Sequence, residues 1–554
     1  MAFLEIDNLS YTYPQSSRLA LNNINLQINE GEIVLLVGGS GSGKTTLLRA
    51  LCRLIPDFYG GIMSGAIQAA GKSLAAISRQ ELLQMVGMVY ENPESQLVMT
   101  TVQQELAFGL ENLGIPSSIG LNRLAETAEM LGLTPWLDQS TAKLSGGQKQ
   151  KTALAAVMAL QPKLLLLDEP TSRLNPVASE ELFNFLRRLN EENGITIVIA
   201  EHRLEQCYHL ADRVVFLDQG RISHNAAPIE AVQWTVQQGR PFAPPIPRLF
   251  AQMGSPKIPL TVKQARPLLG VSMPLPDRNP IDPSPSTLNN RLVVNKLGFA
   301  YPGGPSVLRG VSLNLPSGSI TALMGANGSG KSTLGKNIAG LLKPSQGDIC
   351  LDGRSIRGQK ASSLAHQIGY LPQETGQYFF LATVKEEIEF NIKNLGSPDS
   401  KWLKQLSDWF SLTSIEDRYP RDLSRGEQQK AALTCVLLSK PGVLILDEPT
   451  QGLDPLFKEQ LGTILSSIRR EGTTILLITH DLEFVAEYAD RAAFLQQGEL
   501  IGPGITRHMI SGHTFYSPQV NRLLGGRIIT VREAQTALAG EMGSQPKLIN
   551  LERS

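Results

Sequence analysis

The chain has 554 residues, which is long enough for more than one domain. Of these residues 42% are hydrophobic and 18% are charged, which is typical of globular proteins. Lys+Arg and Asp+Glu both total 51, so the composition shows no global basic character of the kind that binds nucleic acid. The 4 cysteines are scattered, which argues against a disulfide framework or a zinc site. No apolar stretch reaches the roughly 18 residues that span a bilayer. We expect no signal peptide at the amino terminus.

The first predicted elements are a buried strand, EIVLLVG, and the glycine-rich loop GGSGSGKT at 38–45. The loop matches the phosphate-binding motif and opens a predicted helix, which is the setting that this motif requires. Its glycines let backbone N–H groups surround phosphate oxygens at the amino terminus of the helix. Lys44 is predicted to reach the β- and γ-phosphates of a nucleotide, and Thr45 to bind Mg²⁺.

Three further motifs follow downstream. LSGGQKQK at 144–151 precedes the apolar run KLLLLDEP, in which Asp168 is predicted to hold Mg²⁺ through its water shell. Glu169 is placed to orient or deprotonate the attacking water. His202 follows the next buried strand, ITIVIA, and is placed to donate to the γ-phosphate, although a purely structural histidine fits the same position.

All of these motifs return in the second half of the chain, so the sequence contains an internal repeat. The second phosphate loop is GANGSGKS, the second copy of LSGGQKQK is LSRGEQQK, and the second acidic run is VLILDEP. The residues equivalent to those above are Lys331, Ser332, Asp447, Glu448 and His480. Short apolar strands alternate with charge-rich helical segments in both halves. The predicted fold class is α/β, with two tandem phosphate-loop nucleotide-binding domains.

A fainter repeat follows each half and predicts a small carboxyl-terminal appendage on each domain. PRLFAQMGSPKIPLTVKQA in the first half resembles NRLLGGRIITVREA in the second. Prolines crowd the segment after the first domain, which predicts an extended linker because proline lacks the backbone donor of helices and sheets. The predicted bounds are a first nucleotide-binding domain, an appendage with the proline-rich linker, a second nucleotide-binding domain and a second appendage, at 1–235, 236–289, 290–515 and 516–554.

The order of phosphate loop, LSGGQ, LLLLDEP and strand-terminal histidine resembles the ATPase domain of ABC proteins, in both halves. In that family two such domains pack head to tail, and ATP lies between the phosphate loop of one and the LSGGQ signature of the other. The resemblance therefore implies ATP hydrolysis, ATP and Mg²⁺ as ligands, and a fused intramolecular dimer with two composite sites. It also implies that Tyr13 and Tyr301 stack on adenine, although an aromatic residue that fills the core fits both positions.

The matching motifs assign the site residues one by one. The residues assigned to ATP binding are Tyr13, Gly38, Gly41, Gly43, Lys44, Thr45, Thr46, Tyr301, Gly325, Gly328, Gly330, Lys331, Ser332 and Thr333. The signature residues are Ser145, Gly146, Gly147, Gln148, Ser424 and Gly426. The residues assigned to Mg²⁺ are Thr45, Glu91, Asp168, Ser332, Gln373 and Asp447. The catalytic residues are Glu169, Glu448, His202 and His480.

The sequence departs from the family pattern at three places. Glu91 stands where the family has the glutamine that Gln373 retains, and a carboxylate there can still bind Mg²⁺ but raises the pKa of neighbouring carboxyls. Asn175 replaces the aspartate that the second half keeps. In the second signature Arg425 replaces a glycine and Glu427 the glutamine, while the glycine between them still offers its backbone N–H.

Two classes of function fit a fused pair of ABC domains. A translation-associated factor resembles tandem domains with a long charged helical arm, but prolines forbid such a helix here and the linker lacks the dense charge of an RNA-binding surface. The segments VYENPESQLVMTTVQQELAFGLENLG and LPQETGQYFFLATVKEEIEFNIKNLG resemble ATPases of energy-coupling factor (ECF) importers, as do IAEHRLEQ and the appendages. In that family the short helix containing Gln96 or Gln377 would lie beside the groove for a transmembrane scaffold, although a solvated helix fits both positions.

The expected function is therefore ATP hydrolysis that energises an ECF-type importer of a vitamin or metal ion. The expected partners are an integral membrane scaffold subunit and a substrate-binding membrane subunit, with no nucleic acid. The expected location is peripheral, on the cytoplasmic face of the cell membrane.

Overall fold

The computed structural model describes residues 2–14, 16–172, 174–269, 289–396, 398–513 and 516–542. The chain divides into two compact units, Met1–Thr261 and Val262–Ser554. Most of the predicted linker, at 270–288, lies outside the described residues, as does the end of the second appendage. The finer domain bounds given above stay predictions.

The first unit contains two sheets. Its strands are β1 (Ala2–Thr12), β2 (Leu21–Asn29), β3 (Ile33–Val37), β4 (Ile62–Ala69), β5 (Lys72–Ser73), β6 (Val86–Val89), β7 (Leu164–Asp168), β8 (Thr196–Ala200), β9 (Arg213–Asp218) and β10 (Arg221–Ala226). The smaller sheet is antiparallel, in the order β2-β1-β4-β5. The larger sheet has the order β10-β9-β3-β8-β7-β6 and is parallel except for the hairpin of β9 and β10.

The helices of the first unit lie between these strands and after them. They are α1 (Lys44–Leu51), α2 (Arg79–Met85), α3 (Val102–Asn112), α4 (Ser117–Met130), α5 (Gly146–Met158), α6 (Pro176–Asn193), α7 (Leu204–Cys207), α8 (Pro228–Gln237) and α9 (Pro245–Gln252). α9 packs against α8 and belongs to the first predicted appendage.

The central strand β3 shows why its sequence is continuously apolar. Ile33 and Leu35 belong to one buried cluster, and Val34 and Leu36 belong to another. Successive side chains of a strand point to opposite faces, so both faces of the sheet are covered and every position of β3 is buried. Each such side chain stabilises the fold by about 1.5–3 kcal/mol relative to leaving it exposed.

The second unit repeats this plan. Its strands are β11 (Asn290–Ala300), β12 (Ser306–Pro316), β13 (Ile320–Met324), β14 (Gln346–Leu351), β15 (Arg354–Ser355), β16 (Ile368–Leu371), β17 (Val443–Asp447), β18 (Thr474–Ile478), β19 (Arg491–Gln496) and β20 (Glu499–Ile505). The sheet orders are β12-β11-β14-β15 and β16-β17-β18-β13-β19-β20, which match those of the first unit. The predicted α/β fold with two tandem nucleotide-binding domains is confirmed.

The second unit also begins and ends with the appendage segments. Its helices are α10 (Val262–Ala265), α11 (Lys331–Ile338), α12 (Ala361–Leu364), α13 (Val384–Leu395), α14 (Ser400–Phe410), α15 (Arg425–Leu437), α16 (Pro455–Arg470), α17 (Leu482–Tyr488), α18 (Thr506–Ile510), α19 (Gln519–Leu524) and α20 (Val531–Met542). α10, from the end of the first appendage, lies against α19 of the second. None of the described helices has both the length and the apolar character needed to cross a membrane.

Candidate nucleotide sites of the two units

The two phosphate loops each join a central strand to a helix, β3 to α1 and β13 to α11. The Nζ atom of Lys44 donates to the carbonyl oxygens of Gly38 and Gly39 at 2.8 and 3.1 Å. Lys331 makes the equivalent bonds to Gly325 and Ala326 at 2.9 and 3.0 Å. Both lysines are buried, so each ammonium group is held against its own loop, where the phosphates of a nucleotide are expected.

The first glycine of each loop is required by a close backbone contact. A Cβ atom on Gly38 would lie 2.2 Å from the carbonyl oxygen of Leu217, and one on Gly325 would lie 2.1 Å from that of Leu495. Real Cβ atoms do not approach so closely, and the neighbour is backbone that has no rotamer to change. Each phosphate loop is therefore packed directly on the adjacent strand, β9 or β19.

A hydroxyl and a carboxylate meet beside each phosphate loop. Thr45 Oγ1 donates to Asp168 Oδ1 at 3.1 Å. Burial, together with the charges of Glu169 and Glu91, raises the pKa of the Asp168 carboxyl to about 7. In the second unit burial raises the pKa of Asp447, which accepts a hydrogen bond from the Tyr370 hydroxyl at 3.2 Å. A cation placed here would relieve the cost of burying both carboxylates.

The structure brings each predicted catalytic glutamate to its predicted histidine. His202 Nε2 lies 2.9 Å from Glu169 Oε1, and His480 Nε2 lies 3.2 Å from Glu448 Oε1. The two glutamates have φ values of 46° and 51°, in the left-handed region. Such a conformation costs about 1–3 kcal/mol in a residue other than glycine and is commonly found at functional sites.

The aromatic rings predicted to stack on adenine lie next to the phosphate-loop helices. The Tyr13 hydroxyl is 3.2 Å from Thr46 Oγ1 and accepts from Arg49 Nη1 at 3.1 Å. The Tyr301 hydroxyl is 3.3 Å from Thr333 Oγ1, and Tyr301 is 43% exposed. The exposed ring of Tyr301 is available to a base, which favours the stacking role there, whereas Tyr13 is partly buried and packs against the core of the first unit. The role itself stays a prediction.

Both signature serines form a capping box at the start of a helix, and the second signature adds a hydroxyl–carboxylate hydrogen bond and an ion pair. Ser145 precedes α5 and forms a capping box in which its Oγ accepts from Gln148 N at 3.3 Å. Ser424 precedes α15, and its hydroxyl donates to the Glu427 carboxylate at 2.8 Å. Arg418 Nη1 donates to the same carboxylate at 2.9 Å. The altered signature therefore contains the ion-paired carboxylate of Glu427 where the first signature has the neutral amide of Gln148.

Arg425, which replaces a glycine of the second signature, is hydrogen-bonded near the glutamine-loop residue of its own unit. Its Nη2 donates to Gln451 Oε1 at 2.7 Å, and Gln373 Nε2 donates to the same oxygen at 3.3 Å. Gln451 follows the catalytic glutamate on the loop before α16, so one amide connects the altered signature with the glutamine-loop residue. Asn175 preserves the local role of the aspartate it replaces, because its Oδ1 caps α6 at 2.9 Å as that of Asp454 caps α16.

The two glutamines assigned to the scaffold groove make local hydrogen bonds. Gln96 accepts from Tyr90 N and donates to the Met88 carbonyl oxygen, both at 3.1 Å. Gln377 donates to the Glu374 carboxylate. Gln96 thus holds the loop that carries Glu91, a role that sequence reasoning missed. Sequence reasoning also missed Tyr370 and Arg418. Aligning the two repeats could have found them, because each is polar or charged where the first half has a different residue type, Met88 and Gln139 respectively.

The geometry defines a phosphate-loop nucleotide-binding domain in each unit, and comparison with known proteins identifies the family. The family described as ABC transporter matches residues 21–172 and 308–451. An ABC transporter ATP-binding protein of Bacillus cereus is 41% identical over 95% of both chains. One of Methanosarcina mazei is 35% identical over 91% of this chain and 89% of its own. The chain belongs to the ABC transporter family of ATP-binding proteins, and it is an ATPase.

Two solved structures give further likeness. RNase-L Inhibitor covers 91% of both chains with a TM-score of 0.58 and 19% identity, which is a likeness of fold alone. The cbiO1 structure from Clostridium perfringens, described as part of an ABC transporter complex, is 29% identical. It covers 46% of this chain and 99% of that chain, with a TM-score of 0.38.

Proposed function

We propose that this chain is the ATP-hydrolysing subunit of an ECF-type importer of a vitamin or metal ion. ATP binding draws the halves together and hydrolysis releases them, which moves a transmembrane scaffold that the chain contacts at the cytoplasmic face of the membrane. The observation that carries the ATPase chemistry is the pairing of Glu169 with His202 and of Glu448 with His480, at 2.9 and 3.2 Å, beside a phosphate loop in each unit.

Exposed apolar side chains support a partner at the segments that resemble ECF ATPases. Val98 is 63% exposed in the first of these segments, and Phe380 is 63% exposed in the second. Phe380 and Phe390 pack edge to face with ring centroids 5.1 Å apart. Large apolar side chains that stay in contact with water in both repeats are typical of surfaces that bind another protein. Relatives that are named as ABC transporter ATP-binding proteins and align over almost the full length support a role in transport.

We infer that Mg²⁺ accompanies ATP at both sites. In the part of the chain that the structure describes, no group of three His, Cys, Asp or Glu side chains forms a closed metal site. That agrees with an ion bound largely by phosphate oxygens and water. The first site offers Thr45, Asp168 and Glu91, and the second offers the equivalent Ser332, Asp447 and Gln373. When bound, the ion supplies neutralisation of phosphate charge.

The residues of the chain then divide the remaining work. Each phosphate-loop lysine binds the β- and γ-phosphates, and each glutamate takes a proton from the attacking water or orients it. Each histidine holds its glutamate through Nε2 and lies near the expected γ-phosphate. In the head-to-tail arrangement implied by the family resemblance, the signature of the opposite half completes each site.

The first test concerns the partners. Detergent extracts of cells that contain the chain should yield a stoichiometric integral membrane protein, together with a substrate-binding membrane protein. Mass spectrometry of the purified complex gives the identity of both. Recovery with ribosomes or nucleic acid alone would replace the importer with the translation-associated alternative and leave the ATPase assignment intact.

The second test concerns fusion of two sites in one chain. With Glu169→Gln and Glu448→Gln combined, hydrolysis no longer empties the sites, and one chain should retain about two ATP. Calorimetry gives the stoichiometry, and light scattering should give the mass of a single chain with and without ATP. An ATP-dependent doubling of mass would contradict an intramolecular pair of halves.

A further inference from the structure

A buried carboxylate lies next to the first catalytic pair and has no part in the chemistry described above. Glu201 is 2% exposed and stands between β8 and His202. Its Oε2 accepts from Thr171 Oγ1 at 2.7 Å and from Thr171 N at 3.4 Å. Its Oε1 accepts from the backbone N–H groups of His202 and Arg203 at 2.8 and 3.1 Å. Four donors therefore surround this side chain, as a buried carboxylate requires.

These hydrogen bonds join the two loops that carry Glu169 and His202. Thr171 lies two residues after Glu169, and His202 contributes its own backbone N–H. Arg203 adds a second connection, because its Nη1 donates to the Leu174 carbonyl oxygen at 2.9 Å. The loop after the catalytic glutamate is thus fixed to the end of β8 at two points.

The second unit lacks this arrangement. Thr479 and Asp481 occupy the positions of Glu201 and Arg203, and Thr479 Oγ1 lies 3.3 Å from Thr450 Oγ1. Asp481 caps α17 and pairs with Lys458 Nζ at 2.7 Å. The backbone N–H of His480 donates to Glu448 Oε2 at 3.4 Å, whereas that of His202 donates to Glu201.

We propose that Glu201 is a positioning residue of the first ATP site. It holds the peptide of His202 and the loop of Thr171 together, and so fixes the imidazole against the Glu169 carboxylate. The residue does not touch ATP. It acts on the hydrolysis rate through the relative position of the base and the histidine, and small displacements of catalytic groups lower rates steeply. The second site achieves the same pairing through a direct bond from the His480 backbone to its glutamate.

The test isolates each site in the full chain. In a Glu448→Gln background, turnover comes from the first site, and Glu201→Thr should lower kcat about fivefold with KM for ATP changed less than about twofold. The same substitution in a Glu169→Gln background, where turnover comes from the second site, should lower kcat less than about twofold. Adding Arg203→Asp to Glu201→Thr also removes the second connection to the loop, since Ser179 stands where Lys458 pairs with Asp481, and should lower kcat further.

Three outcomes separate this proposal from a structural role. Loss of kcat at the first site with unchanged melting temperature and KM, and a further loss in the double variant, support positioning. Equal losses in both backgrounds with a lower melting temperature would mean that Glu201 serves folding alone. An unchanged kcat in the Glu448→Gln background would also overturn the proposal. None of these readouts depends on the identity of the transported molecule.

Discussion

Glu448→Gln is expected to reduce ATP turnover of the complete complex by more than Glu169→Gln does. Loss of a well-placed general base costs about 10²–10⁴-fold at its own site, so total turnover reports which site is faster. The two sites are not equivalent in their surroundings, and we predict that the site built on Lys331 is the faster one. Its partner keeps Glu169 and should be slower without being inactive.

The difference comes from charge and hydrogen bonding around each site. In the first unit Glu91 and Glu169 add to burial in raising the pKa of Asp168 to about 7. In the second unit the neutral Gln373 stands in place of Glu91, and Asp447 receives a hydrogen bond from Tyr370 at 3.2 Å. In the proposed head-to-tail arrangement, the second site also faces the unaltered signature with Ser145. The carboxylate of Glu91 therefore adds negative charge at the first site that the neutral Gln373 does not add at the second.

Phosphate release from the purified complex measures the effect, and ATP binding by each variant is the control for intact nucleotide sites. Asn175 should not reverse the order, because it caps α6 in the same way as Asp454 caps α16. Equal losses in the two variants, or a larger loss with Glu169→Gln, would mean that Arg425 and Glu91 are neutral substitutions and that the sites work alike.

The sequence was sufficient for the features that depend on short-range pattern. The apolar runs EIVLLVG, KLLLLD and ITIVIA predicted the buried strands β3, β7 and β8, because a parallel strand covered on both faces has no polar position. The motif spacing likewise named Lys44, Glu169 and His202 before their positions were known. These residues meet because the carboxyl ends of adjacent parallel strands lie at one edge of the sheet, with Asp168 beside Ala200.

Side-chain contacts that depend on tertiary neighbours could not be predicted from the sequence. A charged residue after an apolar strand is usually solvated, so Glu201 gave no sign that four donors would bury it. Gln96 was expected beside a groove, and its contacts with Tyr90 and Met88 arise from a loop that folds back on its own strand. Arg418 and Glu427 are neighbours only because the turn before α15 brings them together.

The pair of Arg418 and Glu427 gives the second large expected effect. In the first half the equivalent residues are Gln139 and Gln148, so the second half has an ion pair where the first has two neutral amides. The carboxylate accepts from Ser424 Oγ at 2.8 Å and from Arg418 Nη1 at 2.9 Å. In the proposed arrangement this signature faces the ATP bound by Lys44. Arg418 therefore offsets a negative charge that would otherwise repel the γ-phosphate.

Removing the counter-charge should slow the first site and spare the second. Both side chains are partly exposed, so solvent screens the charge, and we expect Arg418→Gln to cost about 0.5–1 kcal/mol, or about two- to fivefold in kcat/KM for ATP. The measurement uses a Glu448→Gln background, in which only the first site turns over. Because a repelled phosphate weakens binding as well as reaction, KM for ATP should rise in this variant.

The reciprocal variants test the charge argument directly. Glu427→Gln alone removes the negative charge and frees the Ser424 hydroxyl, so the first site should turn over faster than it does with Glu427. Arg418→Gln combined with Glu427→Gln reproduces the pair of the first half, and it should recover the activity that Arg418→Gln loses, because a neutral amide needs no counter-charge. Gln139→Ala in the first half is a matched control, since Gln148 there is uncharged and its loss should be small at either site. If Arg418→Gln leaves kcat/KM unchanged, or the double variant is as slow as the single one, the ion pair serves only to hold the turn before α15 and the charge near phosphate is not what separates the two sites.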